Sequence, residues 1–226
     1  MGKNSELKKI VAEVGEGLIW RPLYDFEQTR LASGVGENID GIDPEFKDLD
    51  FTGKSVCDLG CNMGHFSFYA CDRGARDVVG YDVEPKVIAG AKKLAALYSV
   101  KHVDFKVCDF TKERPERTFD MGMLIDIIGK DGIRKGKLER MLRGLEQRAE
   151  SEMLLTFRPE YYVNKHLGLK SEKFLEMYPQ AEIKDGLFSV LDFAVKIFAE
   201  HWEMTYLSKP HPECKQYKRT VFFKRK

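Results

Sequence analysis

The stretch Ser55-Val56-Cys57-Asp58-Leu59-Gly60-Cys61-Asn62-Met63-Gly64-His65-Phe66 decides the fold. Its first five residues read as a short buried strand, and Gly60 and Gly64 as a tight turn. Residues 65–73 read as a helix that Gly74 stops. A strand that passes into a helix through a glycine turn is an α/β signature. The glycines remove side chains where the backbone must turn and approach a ligand. The helix start offers N–H groups and the positive end of its dipole. Asp58, at the strand end, is placed to accept from a cationic amino group, since ligands of open α/β sheets lie at the carboxyl ends of the strands.

Outward from this stretch the pattern alternates. Residues 77–81 read as a second strand, and Pro85 opens a helix with Val87, Ile88, Ala91, Leu94, Ala95 and Tyr98 on one face. Residues 102–107, 121–125 and 153–157 read as further strands. One helix is marked by Leu138, Met141, Leu142 and Leu145, another by Phe188, Leu191, Ala194, Val195 and Phe198. Alternating units predict a doubly wound, mostly parallel sheet with helices on both faces. Residues 202–207 and 220–223 are separated by a polar, proline-containing loop too short for a helical crossover, so they should pair antiparallel.

Acids close the strands. Asp82 ends the second strand, at a distance from the glycines that suits a carboxylate clasping ribose hydroxyls, and Val83 follows it as a surface for an adenine face. Asp109 ends the third strand, as an acceptor for an adenine amino group with Phe110 stacking beside it. Asp126 ends the fourth.

In the residues VCDLGCNMG, YDVE, VCDF and FDMGMLID, in that order, the chain resembles the class I methyltransferases that use S-adenosylmethionine (SAM). The resemblance runs over residues 54–157 and includes the terminal strand pair. It implies a Rossmann-like, seven-stranded sheet with an antiparallel terminal hairpin. It also implies SAM as cofactor and S-adenosylhomocysteine (SAH) as product. By resemblance Asp58, Gly60, Cys61, Asn62 and Gly64 hold the methionine part, Asp82 the ribose and Asp109 the adenine, with Val83, Phe110 and Ile125 completing the cofactor set. Two departures restrict the acceptor. Phe157-Arg158-Pro159 lacks the Asp-Asn pair that would complete a metal site of catechol type, so no metal is expected. Ile125-Asp126-Ile127-Ile128 stands where many amino-directed nucleic-acid enzymes carry Asn/Asp-Pro-Pro-Tyr. A nicotinamide protein would prefer Gly-x-Gly-x-x-Gly, which this turn lacks.

For the acceptor, position assigns Asp126 as general base and Arg158 as an anion-binding group, with His65, Tyr161, Tyr162 and His166 completing a substrate pocket. The basic segment 130–137 reads equally as a contact to an anionic substrate and as a solvated loop. Lysines and arginines number 37 against 36 acids, a net charge of +1 that supplies no general field for nucleic acid. A small-molecule hydroxyl or amine is therefore the expected acceptor. An RNA base, such as a tRNA uridine, is the runner-up, and a non-catalytic SAM-binding role is a third reading. The basic, aromatic end KQYKRTVFFKRK reads as a lysine-guarded edge strand before it reads as an RNA contact.

At 226 residues the chain suits one domain, residues 51–226, preceded by a helical extension and cover segment over residues 1–50. Within that segment, WRPLYDF is placed to close over the cofactor. No apolar run reaches the ~20 residues of a membrane span. Nor does the start carry an apolar signal core, so a cytoplasmic, non-membrane location is expected. Five cysteines without a CxxC pair read as free thiols. His201, His211 and Cys214 match no metal-ligand spacing.

Overall fold

The computed structural model describes residues 2–36, 49–209 and 218–226. The expectations for His211 and Cys214 lie outside these residues. The chain forms two compact units, residues 1–109 and 110–226.

In the first unit, α1 (Lys3–Val14) buries Leu7, Ile10, Val11 and Val14, one stripe at helical spacing. It ends at Gly15, whose φ of 87° continues no helix. A two-stranded hairpin follows, β1 (Leu23–Tyr24) with β2 (Arg30–Ala32). Its turn is organised by buried Asp25, whose Oδ1 accepts from the N–H groups of Glu27 (2.9 Å) and Thr29 (2.8 Å). Then come β3 (Ser55–Leu59), α2 (His65–Asp72), β4 (Asp77–Asp82), α3 (Pro85–Tyr98) and β5 (Val103–Val107), with the three strands parallel. The stripe of α1 shares a core with Ile19, Ala32, Met63, Val87 and Leu94. Gly90 sits inside α3, where glycine costs about 0.5–1 kcal/mol relative to alanine. A Cβ there would lie 2.5 Å from Val14 and 2.8 Å from Met63, so the bare backbone lets α1 seat closely.

The second unit contains β6 (Phe119–Ile128), α4 (Lys130–Arg134), α5 (Leu138–Glu146), β7 (Ala149–Phe157), β8 (Glu160–Tyr162), α6 (Ser171–Met177), β9 (Ile183–Lys184), β10 (Leu187–Ser189), α7 (Val190–Phe198), β11 (Trp202–Leu207) and β12 (Arg219–Arg225). The large sheet has the order β11-β12-β7-β6-β3-β4-β5. β6 and β7 are parallel, while β12 is antiparallel to both neighbours. The doubly wound, seven-stranded architecture with its terminal hairpin is the one expected.

Three local expectations change. The basic C-terminal strand is not the edge. β12 lies between β11 and β7, because Val221 and Phe223 are fully buried apolar residues, and β11 takes the edge with Glu203, Met204 and Tyr206 exposed. Phe188 belongs to β10, not to the helix after it. It packs with Phe174, Tyr178 and Phe193 beside the small sheet β8-β10-β9. The basic segment after β6 contains α4, whose Ile133 carbonyl accepts from the Tyr178 hydroxyl (2.7 Å).

Arg148 is 1% exposed and donates to three carbonyls: Gly144 (3.0 Å), Phe110 (3.3 Å) and Glu113 (2.8 Å). Replacing it with Met leaves these carbonyls short of donors. The expected loss is about 3 kcal/mol or more, measured as a lower urea midpoint. Arg148→Lys should fall between, since it keeps the charge but not the fork. An unchanged midpoint in Arg148→Met would contradict this role.

Candidate functional site

The turn between β3 and α2 is fastened to the end of β4. Gly60 N–H (2.7 Å) and Cys61 N–H (3.0 Å) both donate to the Tyr81 carbonyl. Asn62 N–H donates to Asp82 Oδ2 (3.0 Å), and Glu84 N–H to Asp82 Oδ1 (3.0 Å). The Asp82 carboxylate is therefore aimed by two backbone donors, one on each oxygen. Gly64 has φ +84°, a left-handed value that glycine adopts without strain, and its Cβ would collide with Phe105 at 2.6 Å.

Asp58 is 2% exposed and accepts from the Ser67 hydroxyl (2.7 Å). Burial raises its carboxyl to about 6, with repulsion from Asp82 adding to the rise and the Ser67 hydroxyl and the Arg21 charge opposing it. The Cys61 thiol is pushed well above its usual range by burial and then by Asp58 and Asp82. It packs with Ile88, Ala91 and Phe105, so Cys61 contributes core packing with its side chain. Val83 is 60% exposed directly after Asp82, an apolar face left open. Asp109 is partly buried just past β5, and His65 is exposed with its ring edge-on to Phe66.

Asn62 faces the N-terminal segment as well as the turn. Its Oδ1 accepts from Trp20 N–H (2.9 Å) and its Nδ2 donates to the Leu18 carbonyl (2.8 Å). Next to this clasp, Arg21 lies 6% exposed with its guanidinium 4.5 Å from the Phe66 ring centre. The sequence pointed to Asn62 but not to this partner. Trp20 and Arg21 were visible only as part of an aromatic-rich segment. Asn62→Ala removes both bonds of the clasp. Hydrogen exchange at the Trp20 amide should then accelerate by about tenfold. Asn62→Asp, which keeps the acceptor and loses the donor, should lie between. Equal exchange in all three proteins would dismiss the clasp.

In the second unit, Asp126 adopts φ +59° where the β6–β7 register shifts. Its N–H donates to Thr156 Oγ1 (2.9 Å), and Lys218 Nζ donates to its Oδ1 (2.7 Å). The pair is part-buried, with the Asp126 side chain 4% and the Lys218 side chain 13% exposed. The expected base therefore carries a fixed counter-ion, Lys218, that sequence reading missed. Ile125 is buried beside it, and Phe110 is buried with its ring in the space that Gly144 leaves on α5.

Arg158, Tyr161, Tyr162 and His166 do come together. The Arg158 guanidinium lies 5.0 Å from the Tyr161 ring centre, and its Nη2 is 3.4 Å from His166 Nδ1. Tyr162 N–H donates to the same Nδ1 (3.0 Å). The ring is therefore neutral with its proton on Nε2. In agreement, burial and then the charges of Arg158, Lys130 and Lys165 push the His166 pKa down, which favours the neutral ring. Arg158, Pro159, Glu160, Tyr162, His166 and Leu187 line a hollow of about 190 Å³.

SAM has two cationic centres, an ammonium and a sulfonium, and a ribose diol. The turn after β3 fits such a ligand. Its own N–H groups at residues 60–62 are spent on β4, and what remains around it is acidic: Asp58, whose negative charge burial leaves poorly compensated, and the fixed Asp82. Fold and turn together define an α/β protein with an acid-lined site at the carboxyl ends of its strands. A family model described as a methyltransferase domain matches residues 50–204, and the chain belongs to that methyltransferase family.

Among similar proteins, a ribosomal protein L11 methyltransferase of Vibrio cholerae is 34% identical over 80 residues, covering 35% of this chain and 25% of the relative. A phosphoethanolamine N-methyltransferase 3 of Arabidopsis thaliana is 39% identical over 70 residues, covering 30% of this chain and 14% of the relative. The chain thus spans a quarter or less of the length of these curated relatives. A magnesium protoporphyrin IX methyltransferase from Synechocystis PCC 6803, solved with bound SAH, shares the fold: TM-score 0.58, 20% identity, covering 84% of this chain and 83% of that one. No helix among the described residues is long and apolar enough to cross a membrane.

Proposed function

We propose that this methyltransferase acts on a hydroxyl or an amine of a small molecule. The observation that carries the reading is the hollow of about 190 Å³ at the carboxyl end of β7, where Arg158, Tyr162 and His166 supply polar groups on a small scale. The near-zero net charge supports it further, because phosphate-tracking surfaces need an excess of cations.

In this reading Asp58, Gly60, Cys61, Asn62 and Gly64 form the methionine-side cradle, with Asn62 also holding the N-terminal cover. Asp82 takes the ribose hydroxyls and Asp109 the adenine amino group. Val83 lies against the adenine, and Phe110 and Ile125 complete the proposed cofactor set. His65, Tyr161, Tyr162 and His166 shape the acceptor side. When bound, SAM supplies a methyl group already activated on a sulfonium, with a neutral leaving group. The protein's task is chiefly alignment. Asp126 accepts the proton of the acceptor, with Lys218 as the counter-ion that fixes its carboxylate. Residues 1–50 form the extension, and residues 51–226 the domain that does the chemistry.

The test is SAH release from SAM with a panel of small hydroxylated and amino compounds and, in parallel, with total RNA. Turnover on a small compound supports the reading. Turnover on RNA alone, with retention that weakens steeply as salt rises, would replace it with the RNA reading. Asp126→Asn should lower turnover by about 10²-fold or more if Asp126 is the base. Because that change strands Lys218, Asp126→Asn/Lys218→Met is the variant in which folding and chemistry separate.

A further inference from the structure

We infer that the hollow after β7 is an oxyanion subsite, in which Arg158, beside His166, receives a phosphate or carboxylate group of the methyl acceptor. The inference rests on the proposed acceptor position and adds to it the charge that the acceptor carries.

Arg158 is held in place from three sides. Phe157 before it is paired to Arg219 in β12 and to Ile128 in β6, which fixes the backbone. Its guanidinium lies across Tyr161, which is 3% exposed and so gives a rigid bed. Its Nη2 edge meets His166 Nδ1, which is anchored by Tyr162 N–H. A side chain with this much freedom of rotation is not usually held so firmly without a partner.

The partner is not supplied by the described part of the chain. Among the described residues no carboxylate lies within ion-pair distance of Arg158, although other basic side chains of this unit, such as Arg143 and Lys218, have one. Glu160 lines the same hollow but stands off from the guanidinium. Lys130 and Lys165 add positive charge that is felt at His166. A neutral His166 with its proton on Nε2 adds a donor, not a competing base. An arginine fork and a neutral imidazole donor suit an oxyanion, which accepts from both, and the nearby charges of Lys130 and Lys165 favour it. Size agrees. Whole small-molecule pockets run to roughly 300–1,000 Å³, so about 190 Å³ suits a charged head group with the remainder of the acceptor outside it.

The experiment follows the His166 ring Cε1–Hε1 signal by NMR, assigned with His166→Gln, at constant ionic strength. Inorganic phosphate and acetate are titrated separately into the full chain. A saturable shift is expected, with a dissociation constant on the order of 1–10 mM for the preferred anion. The anion that binds more tightly identifies the head group. Arg158→Ala should weaken binding about tenfold or more, and Arg158→Lys should recover part of it, because charge remains and the fork is lost. Glu160→Gln should tighten it about twofold or more by removing the one acid of the hollow. SAM affinity, measured by calorimetry, should be unchanged in Arg158→Ala, which establishes that the variant is folded. No saturable shift with either anion up to about 50 mM, or equal binding by wild type and Arg158→Ala, overturns the subsite. If anions bind at Arg158 but only uncharged small compounds are methylated, the inference is overturned while the small-molecule reading stands; turnover on RNA alone overturns the small-molecule reading.

Discussion

Asp82→Ala should abolish measurable SAM binding. Both oxygens of this carboxylate are already fixed by backbone donors, Asn62 N–H and Glu84 N–H, each at 3.0 Å. Their remaining lone pairs point from a strand end and suit the two hydroxyls of a ribose, with no reorganisation on binding. Hydrogen bonds to a charged acceptor contribute about 1.5–3 kcal/mol each, so losing two weakens binding by roughly two to four orders of magnitude. Calorimetric titration with SAM and with SAH is the measurement. Asp82→Asn should also bind poorly, since one oxygen becomes a donor group. Urea unfolding of the variant separates loss of the ligand contact from loss of the turn. A variant that binds SAM within about threefold of wild type, and is equally stable, would remove Asp82 from the cofactor site.

That test addresses the part of the molecule that a single sequence discloses best. The β3–turn–α2 unit and the acid after β4 are legible because their cause is local: a few residues whose backbone demands and charges are fixed by short spacing. The alternation of strands and helices is legible for the same reason. What escaped has a different origin. β8, β9 and β10 are two or three residues long, too short to carry a period, and α4 contains Gly132, which obscures its helical reading. The place of β12 inside the sheet depends on which strand its apolar face meets, a choice that composition does not encode.

The partners of the candidate site residues escaped for a third reason, separation along the chain. Asn62 meets Trp20 across 42 residues, and Asp126 meets Lys218 across 92. Spacing rules reach a turn of helix or a hairpin, and pairings at this distance exist only once the fold is made. The consequence for function is specific. Sequence reading proposes Asp58 and Asp126 as site acids, while their partners, Arg21 and Ser67 at Asp58 and Lys218 at Asp126, come from the tertiary structure.

Asp58 shows what such a setting does, and it leads to the second large effect. Burial raises its carboxyl from 3.8 to about 6. An acid whose folded value lies above its unfolded value holds a proton in the fold that the unfolded chain has released. Stability of the ligand-free protein therefore falls as pH rises from about 4 to about 6, and the full penalty stands at neutral pH. A rise of this size corresponds to about 3 kcal/mol, as an order of magnitude. Asp58→Asn keeps an oxygen for the Ser67 hydroxyl and removes the buried charge, so at pH 7.5 it should be more stable than wild type by on the order of 1–3 kcal/mol in urea unfolding. The same variant should bind SAM at least about tenfold more weakly, because the cationic ligand loses the charge that burial had left poorly compensated. In wild type, SAM affinity should fall as pH drops through about 6, by up to about tenfold per pH unit, as protonation of Asp58 competes with the ligand. Asp58→Asn should flatten that profile, which assigns the pH dependence to Asp58. A variant that is less stable at pH 7.5, or a wild-type profile that is flat between pH 5 and 8, would show that Asp58 is not held as a destabilised acid for the cofactor.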